Sequence, residues 1–236
     1  MALPGRKADA LLALRPDVAI VQECGQVADL GEGELVRVAW TGGWDPKGLA
    51  VYARPELEAS VDPSHDPALR WFLPIRLAGP IPMAMLAVWA MHDPHAAEPS
   101  PKLRMLRALD AYAAFLGSGD ALIIGDFNNN DRWDTPAAPT FRRIRERLAA
   151  VGLTSLYHER TGEVHGAESV GSLFWKRDAA QPYLIDHCFL PRTWLPRVRE
   201  FSVGTAADWL RLSDHAPLVV ELDGRDANAA PGSVVR

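Results

Sequence analysis

Short apolar runs of strand length recur along almost the whole chain, and they constrain its fold more than any other sequence feature. Turn-forming pairs such as Gly42-Gly43 and Asp45-Pro46 separate them. The runs lie at 17–22, 34–40, 48–54, 57–61, 69–77, 83–91, 121–124, 172–175, 184–190, 198–203 and 217–222. Many strands with few helices between them predict an α/β sandwich of two sheets covered by helices. The continuous apolar core of the run at 17–22 predicts a strand buried on both faces.

Three amphipathic segments predict the covering helices. Apolar residues at helical spacing in 6–14 end before Pro16, and those in 140–151 end at Gly152. Ser100 and Pro101 suit the N-cap and first position of a further helix. The expected buried stripe of that helix is Leu103, Leu106, Leu109, Ala113 and Leu116.

The chain has the size and composition of one globular domain. It contains 236 residues, of which 48% are hydrophobic. We expect the domain over 1–222 and a frayed tail over 223–236, where apolar residues become few. The longest nearly uncharged apolar run, 81–91, is shorter than the ~20 residues that span a bilayer, and no secretory signal is visible.

Cysteine content and charge narrow the class of protein. Two cysteines, Cys24 and Cys188, cannot build a disulfide framework, so a reducing, cytoplasmic setting is the default expectation. The net charge of −5 argues against an architectural nucleic-acid binder, which needs a basic surface. It remains compatible with an enzyme that holds a phosphate locally, with a divalent cation supplying positive charge.

Carboxylates and histidines lie at or near the ends of five apolar strands. They are Glu23, His92, Asp126 with Asn128, Asp186, and Asp214 with His215. A carboxylate beside an apolar core is costly unless it is paired or bound to a cation. A single such residue is usually a turn or helix cap, but five from separate strands point to one shared site.

Two local motifs carry most of this signal. In Gly125-Asp126-Phe127-Asn128, the glycine permits a tight backbone turn, and an acid and an amide two apart point to one side of an extended segment. The alternative to a catalytic role is an Asx-turn, because the asparagines at 128–130 are typical turn residues. Ser213-Asp214-His215 places a potential metal ligand beside an imidazole, although so short a string is weak by itself.

Together these segments resemble the endonuclease/exonuclease/phosphatase family. The matching stretches are DVAIVQE at 17–23, GLAVYAR at 48–54, AVWAMH at 87–92, IIGDFN at 123–128, LIDH at 184–187 and LSDHAPLVVEL at 212–222. The resemblance implies an α/β fold, a four-layer α/β/β/α sandwich of two mixed sheets flanked by helices, with the site at one edge between the sheets. It does not select a branch of the family.

The resemblance also implies residue roles around a Mg²⁺ or Mn²⁺ ion. Glu23 is the expected main metal ligand, and Asp214 is a further metal ligand or supporting acid. Oxygen ligands with retained waters suit Mg²⁺.

The remaining expected site residues act on water and phosphate. Asp126 orients or deprotonates the attacking water, and Asn128 is its partner on the phosphate. Asp186 fixes the tautomer of His215, which stabilises the transition state. His92 occupies a phosphate-contacting position.

One part of the family pattern is missing. Members normally begin with a strand that ends in an asparagine beside the metal, whereas only 1–5 precede the first helix here. Either the true chain extends upstream, which we favour because the later motifs are intact, or the strand is lost and the protein is weakened.

Several other side chains have both a structural and a functional interpretation. Lys47, Arg132, Lys176 and Arg177 are expected near the site, where surface charge is the commoner explanation. Trp44, Trp133 and Trp175 could stack on a base, although core packing explains most tryptophans. His158 and His165 have the appearance of isolated loop histidines.

The leading functional hypothesis is a metal-dependent phosphodiesterase, most simply a nuclease acting on DNA or another nucleic acid. A phosphomonoesterase or lipid-type phosphodiesterase would use the same centre. A catalytically weak binding or remnant protein is the alternative from another class. No membrane association and no obligate protein partner are expected.

Overall fold

The computed structural model describes residues 5–26, 29–43, 46–79, 82–95, 100–138, 140–224 and 234–235. Its α-helices are α1 (Gly5–Leu12), α2 (Pro101–Ala111), α3 (Ala113–Leu116), α4 (Thr140–Ala150), α5 (Leu156–Thr161) and α6 (Ala206–Trp209). The first strands are β1 (Val18–Cys24), β2 (Asp29–Leu30), β3 (Leu35–Gly42), β4 (Gly48–Ala53), β5 (Ala59–Val61), β6 (Phe72–Leu77), β7 (Met83–Trp89) and β8 (Ala121–Asp126). The later ones are β9 (Leu153–Ser155), β10 (Leu173–Phe174), β11 (Pro182–Tyr183), β12 (Asp186–Pro191), β13 (Val198–Val203), β14 (Leu218–Asp223) and β15 (Val234–Val235).

The fold is the expected layered α/β sandwich. A six-stranded sheet, in the order β5-β6-β7-β8-β12-β9, forms the centre; β7 and β8 are parallel and its other pairs are antiparallel. One face packs on α2, α3 and α4, and the other packs on β1, β3 and β4 and on β13 and β14. Helix α1 covers the far side of the β1–β4 sheet. The order of layers is therefore helix, sheet, sheet, helix.

Helix α2 begins as predicted, and its buried face differs from the predicted stripe at Leu103. The Ser100 side chain accepts a hydrogen bond from the Leu103 backbone N–H, and Pro101 follows it. Leu103 is 45% exposed, so its place in the buried stripe was wrong. Arg104 lies inside instead, where its guanidinium donates to the carbonyls of Met91 and Arg70. These bonds satisfy a charged group that would be costly to bury alone.

The outer sheet layer is divided. Strand β1 hydrogen-bonds only with β4 among the described strands, so it is an edge strand with alternating burial and not the doubly buried strand that its apolar core predicted. Strand β14 pairs with β13, and its last two residues pair with Val234–Val235. Between β1 and β14 runs a groove. Most of the tail expected over 223–236 lies outside the described residues, so that expectation remains a prediction.

Within the described ranges, no helix is both long and apolar enough to cross a membrane.

Candidate active site

Three of the predicted site residues meet where the strands of the central sheet end. Asp126 is the last residue of β8, and Asp186, the first residue of β12, lies opposite it in the antiparallel register. His215 comes from the segment before β14 and forms a β-bridge with Leu173. One ligand atom from each of the three side chains lies within 4.8 Å of the others. Residues far apart in sequence thus form one cluster.

Asp186 and His215 form a tight pair. The imidazole Nδ1 lies 2.9 Å from an Asp186 carboxylate oxygen. The His215 side chain is 32% exposed and the Asp186 side chain is 13% exposed. Burial by itself would lower the pKa of His215, but the Asp186 carboxylate outweighs it and, with Asp126 and Asp214, raises the pKa to about 10. The imidazole is therefore cationic at neutral pH, with Nδ1 engaged and Nε2 free of the pair.

Ser172 supports this pair, and sequence reasoning did not single it out. It is fully buried, and its hydroxyl accepts hydrogen bonds from the backbone N–H groups of Ile185 and Asp186. Burial raises the pKa of Asp186, but His215 and the Ser172 hydroxyl outweigh it and the net shift is downward. A small polar residue at the start of an apolar run, SLFW, was the only signal in the sequence.

Asp126 is the most deeply buried acid of the cluster, at 3% exposure. Burial raises its pKa, and so does the nearby Asp186 carboxylate, against the opposing effect of His215; the resulting pKa is about 8. A carboxyl group poised near neutral pH is suited to accept a proton from water.

Asn128 holds Asp126 in place. Its backbone N–H donates to one Asp126 oxygen at 2.7 Å, and its side-chain amide donates to the other at 3.1 Å. The same amide nitrogen also donates to the Ala90 carbonyl at 3.2 Å, so both of its N–H groups are engaged. This geometry favours positioning of Asp126 over the phosphate contact expected from the resemblance, which would require one of these bonds to break.

The convergence of Asp126 and Asn128 has a different cause from the one predicted. Asn128 lies beyond β8 with φ of 46°, so a left-handed Asx-type turn, and not strand alternation, brings the two side chains together. Gly125 also has another role than making a tight turn. It lies within β8 at φ 137°, where a Cβ would be 2.1 Å from the Val88 carbonyl oxygen. Only glycine permits this close approach of β7 and β8.

Glu23 reaches the same cavity from β1. The pairing of β1 with β4 shifts register between Val21 and Cys24, and Glu23 has φ of 53°. Such a bulge redirects the side chain at the end of a strand. The carboxylate is 54% exposed, lies 2.6 Å from Lys47 Nζ, and contributes negative potential at Asp126.

Asp214 lies near the cluster, whereas the structure gives His92 no bond to it. Asp214 is exposed, lines the cavity and raises the pKa of the neighbouring His215. His92 is exposed three residues beyond β7, and no hydrogen bond or ion pair among the described residues joins it to the cluster. Its proposed phosphate contact therefore depends on the bound substrate.

A single cavity of about 470 Å³ holds these groups and continues into the groove. Its walls come from β1 and β14, its floor includes Met85, Leu122 and Ile124, and Glu23, Asp126, Asp186, Asp214 and His215 line one part of it. The charged groups thus lie beside an apolar channel between two strand edges.

The donor set fits a divalent cation. Asp126, Asp186, Glu23 and Asp214 carry carboxyl groups around one cavity, and repulsion from Asp186 and Glu23 contributes to the raised pKa of Asp126. A hard cation with oxygen ligands would relieve that repulsion. Lys47 Nζ already provides one positive charge at Glu23.

The tryptophans considered for base stacking differ in environment. Trp175 is 50% exposed, next to Phe174, whose N–H donates to the Asp214 carbonyl. Trp133 packs against the ring of Tyr183 at 5.2 Å between centroids. Trp44 lies outside the described residues. Cys24 and Cys188 are buried free thiols whose pKa is raised by burial, to about 11 and about 12, so neither has the character of a reactive thiolate.

Comparison with known proteins adds to this geometry. The model of the Endonuclease/Exonuclease/phosphatase family matches residues 8–215. The fold is similar to a 3'-5' exonuclease from Neisseria meningitidis, with TM-score 0.65 and 20% identity, covering 92% of this chain and 94% of that one. It is also similar to an AP endonuclease from Leishmania major, with TM-score 0.68 and 15% identity, covering 90% of this chain and 80% of that one. An AP endonuclease from Archaeoglobus fulgidus has TM-score 0.62 and 17% identity, covering 92% of each chain. The chain has no significant sequence match among curated proteins.

Proposed function

Since the chain belongs to the endonuclease/exonuclease/phosphatase family, we propose that it is a divalent-metal-dependent phosphodiesterase acting on nucleic acid. The observation that carries the proposal is the cluster of Asp126, Asp186 and His215, three groups that could act on a phosphate and a water at one point. The cluster opens into a cavity that also contains the Glu23 carboxylate.

Glu23 and Asp214 are the proposed metal ligands, with Asp126 close by. A bound Mg²⁺ or Mn²⁺ would neutralise charge on the phosphate oxygens. Glu23 fits this role because it is exposed to the cavity and already paired with a cation, Lys47.

Asp126 is the proposed base. Burial and like charge raise its pKa to about 8, so its deprotonated form is a stronger base than an ordinary aspartate. A cation bound at the neighbouring carboxylates would favour that deprotonated form. Asn128, bonded to both Asp126 oxygens, is the proposed positioning residue that fixes the direction of that acceptor.

His215 is the proposed stabiliser of negative charge. Asp186 engages Nδ1 and keeps the ring cationic, which leaves Nε2–H as a charged donor to a phosphoryl oxygen. The Ser172 hydroxyl fixes the backbone that carries Asp186.

The proteins of similar fold support DNA as the substrate. They include one described as a 3' phosphatase bound to product DNA hairpin, with TM-score 0.68 and 20% identity, besides the exonuclease and the AP endonucleases. That phosphatase also favours the second candidate, a phosphomonoesterase on the same site. The exposed ring of Trp175 is available for stacking on a base. We keep the cytoplasm as the proposed location, in line with the two free thiols.

The groove between β1 and β14 is the basis of the third candidate, a catalytically weak protein. Among the described strands, β1 pairs only with β4, and β14 pairs with β15 only at its last two residues. Backbone groups along such edges are costly if they are buried without partners, so a site built beside them can be weakly supported. This candidate predicts equal background rates for the wild type and the site variants in the test below.

The proposal is tested by plasmid nicking and by hydrolysis of bis-p-nitrophenyl phosphate with Mg²⁺ or Mn²⁺. We expect Asp126→Ala and Glu23→Ala each to lower the rate on the order of 10²-fold or more. Glu146→Ala, an exposed site on α4, is the matched control and should leave the rate unchanged. Equal background rates in the wild type and both site variants would refute the phosphodiesterase.

Substrate preference is measured separately on a DNA duplex with an abasic site, a 3'-phosphorylated strand, and sphingomyelin vesicles. Cleavage of the first supports a nuclease. Release of phosphate from the second without strand cleavage supports a phosphomonoesterase. Turnover of the third supports a lipid-type phosphodiesterase.

A further inference from the structure

A second cluster of metal-ligating side chains lies behind the loop that follows β8. His158 on α5 and His165 and Glu168 in the segment after it bring one ligand atom each within 4.8 Å of the others. We call these three residues the His–His–Glu cluster. The sequence predicts two isolated loop histidines, but the fold of 155–168 brings them into ring contact, with centroids 3.4 Å apart.

His158 and Glu168 are held rigidly. The His158 Nδ1 lies 2.7 Å from the Ser155 hydroxyl, and its Nε2 lies 3.1 Å from a Glu168 oxygen. The two side chains are only 8% and 5% exposed. The second Glu168 oxygen accepts a hydrogen bond from the Asn130 amide at 3.1 Å. Each of these two side chains is thus oriented by a partner outside the cluster.

His165 is the unsatisfied member. Its Nδ1 is buried and has no hydrogen-bond partner among the described residues. A buried polar atom without a partner costs free energy and calls for an explanation such as an ion. The ring stacks on that of His158 at 26° between planes, and one ligand atom of His165 lies within 4.8 Å of one each from His158 and Glu168.

Neighbouring groups hold the carboxylate of the cluster in place. The Gly166 N–H donates to one Glu168 oxygen at 2.9 Å, and the Asn130 amide donates to the other. Arg145, a positive charge that acts on His165, is itself paired with Asp131.

We propose that His158, His165 and Glu168 form a zinc site. Two imidazoles and a carboxylate are a donor set that Zn²⁺ accepts, with a water as the fourth ligand. With metal–ligand bonds of ~2.1 Å, ligand atoms lie ~3.4 Å apart in a tetrahedral site, and His158 Nε2 and the Glu168 oxygen are already 3.1 Å apart. Ser155 and Asn130 supply the outer hydrogen bonds that fix ligating side chains.

The site would support the catalytic loop. Asn130, which bonds Glu168, also donates to the Leu184 carbonyl two residues before Asp186. The ion would thereby tie α5 and the segment at 162–168 to the loop that carries Asn128. It lies outside the proposed phosphodiesterase centre and does not depend on that function.

The test is zinc binding by the full chain after chelator treatment, with excess MgCl₂ present to occupy the active-site carboxylates. ZnCl₂ is titrated against a chromogenic chelator, and the melting temperature is recorded in parallel. We expect one tightly bound equivalent and a higher Tm in the wild type. In His165→Ala the affinity should fall at least 10-fold and the Tm increase should vanish.

Two further variants make the result decisive. Glu168→Gln keeps the side-chain shape and should also lose the tight equivalent, which guards against misfolding of the alanine variant. Asp186→Asn should retain it, because that residue belongs to the other cluster. The proposal is overturned if the wild type binds no more zinc than His165→Ala and Glu168→Gln, or if Asp186→Asn abolishes the equivalent.

Discussion

The pairing of Asp186 with His215 yields the most quantitative prediction, for the substitution Asp186→Asn. The two side chains are 2.9 Å apart and both are largely buried. Asparagine keeps the shape and can still accept from Nδ1–H, so the change removes the charge and little else. We expect His215 to lose most of the stabilisation of its cationic form.

The structure sets the size of the effect. The rise of the His215 pKa from 6.5 to about 10 corresponds to ~5 kcal/mol of preference for the charged ring. Asp126 and Asp214 supply part of it, and the 32% exposure of the imidazole screens it further. We therefore expect Asp186→Asn to lower the free energy of unfolding by ~1–3 kcal/mol, or Tm by roughly 2–12 °C at this chain length.

The loss should depend on pH in a defined direction. The raised pKa of His215 gives stability that is present below 6.5 and is lost as pH rises through about 10. The lowered pKa of Asp186 gives stability that is present above 3.8 and is lost at lower pH. The difference in Tm between wild type and Asp186→Asn should therefore be largest between pH 3.8 and pH 6.5, and it should shrink above about pH 10.

The assay is thermal unfolding in metal-free buffer at about pH 5.5 and about pH 10.5, either side of the His215 transition. Asp110→Asn, which breaks the exposed pair with Arg147, is the control and should cost at most ~1 kcal/mol. A Tm difference for Asp186→Asn that is the same at both pH values would refute a charged pair. The rate of phosphodiester hydrolysis should fall on the order of 10²-fold or more.

Three other substitutions test separate parts of the structure. Gly125→Ala places a Cβ 2.1 Å from a carbonyl oxygen and should lower the free energy of unfolding by ~3 kcal/mol or more. Its control, Gly152→Ala, is also at positive φ but in open space and should lower it by only ~1 kcal/mol. Similar Tm values for both variants would contradict the close approach of β7 and β8. Lys47→Ala removes the ammonium that competes for Glu23, so half-maximal activity should need up to ~5-fold less Mg²⁺, and an unchanged Mg²⁺ requirement would count against Glu23 as a ligand. Trp175→Ala should raise KM for DNA by roughly 5- to 100-fold without changing hydrolysis of bis-p-nitrophenyl phosphate, and equal KM values would exclude stacking.

Local patterns predicted most of the elements. Strand β13 has the bounds expected for it, and the Ser100 cap begins α2 as expected. These features depend on side-chain alternation and on capping within a few residues, which the sequence shows directly. Errors arose where burial depended on distant partners. Leu103 is exposed and Arg104 buried, because carbonyls of other segments satisfy the guanidinium.

The sequence indicated which residues gather at the site better than it indicated how their side chains contact one another. Asp126, Asp186 and His215 were identified because acids and imidazoles at strand ends are costly without a partner, and the fold places them together. Ser172 was missed, since its role depends on backbone N–H groups of a later segment. Asn128 donates to Asp126 in the structure, and its expected contact with phosphate remains a prediction.

By itself, the sequence determined the class of fold, most of the strands and the longer helices, and the residue types gathered at the strand ends, because these follow from local periodicity and from the cost of burying polar groups. Only the tertiary structure decided that β1 is an edge strand beside a groove, that Asp186 holds His215 as a cation, and that His158 meets His165 and Glu168. Each of these depends on contacts between segments distant in sequence. Such contacts set the dielectric environment and the hydrogen-bond partners of a side chain, and therefore its chemistry.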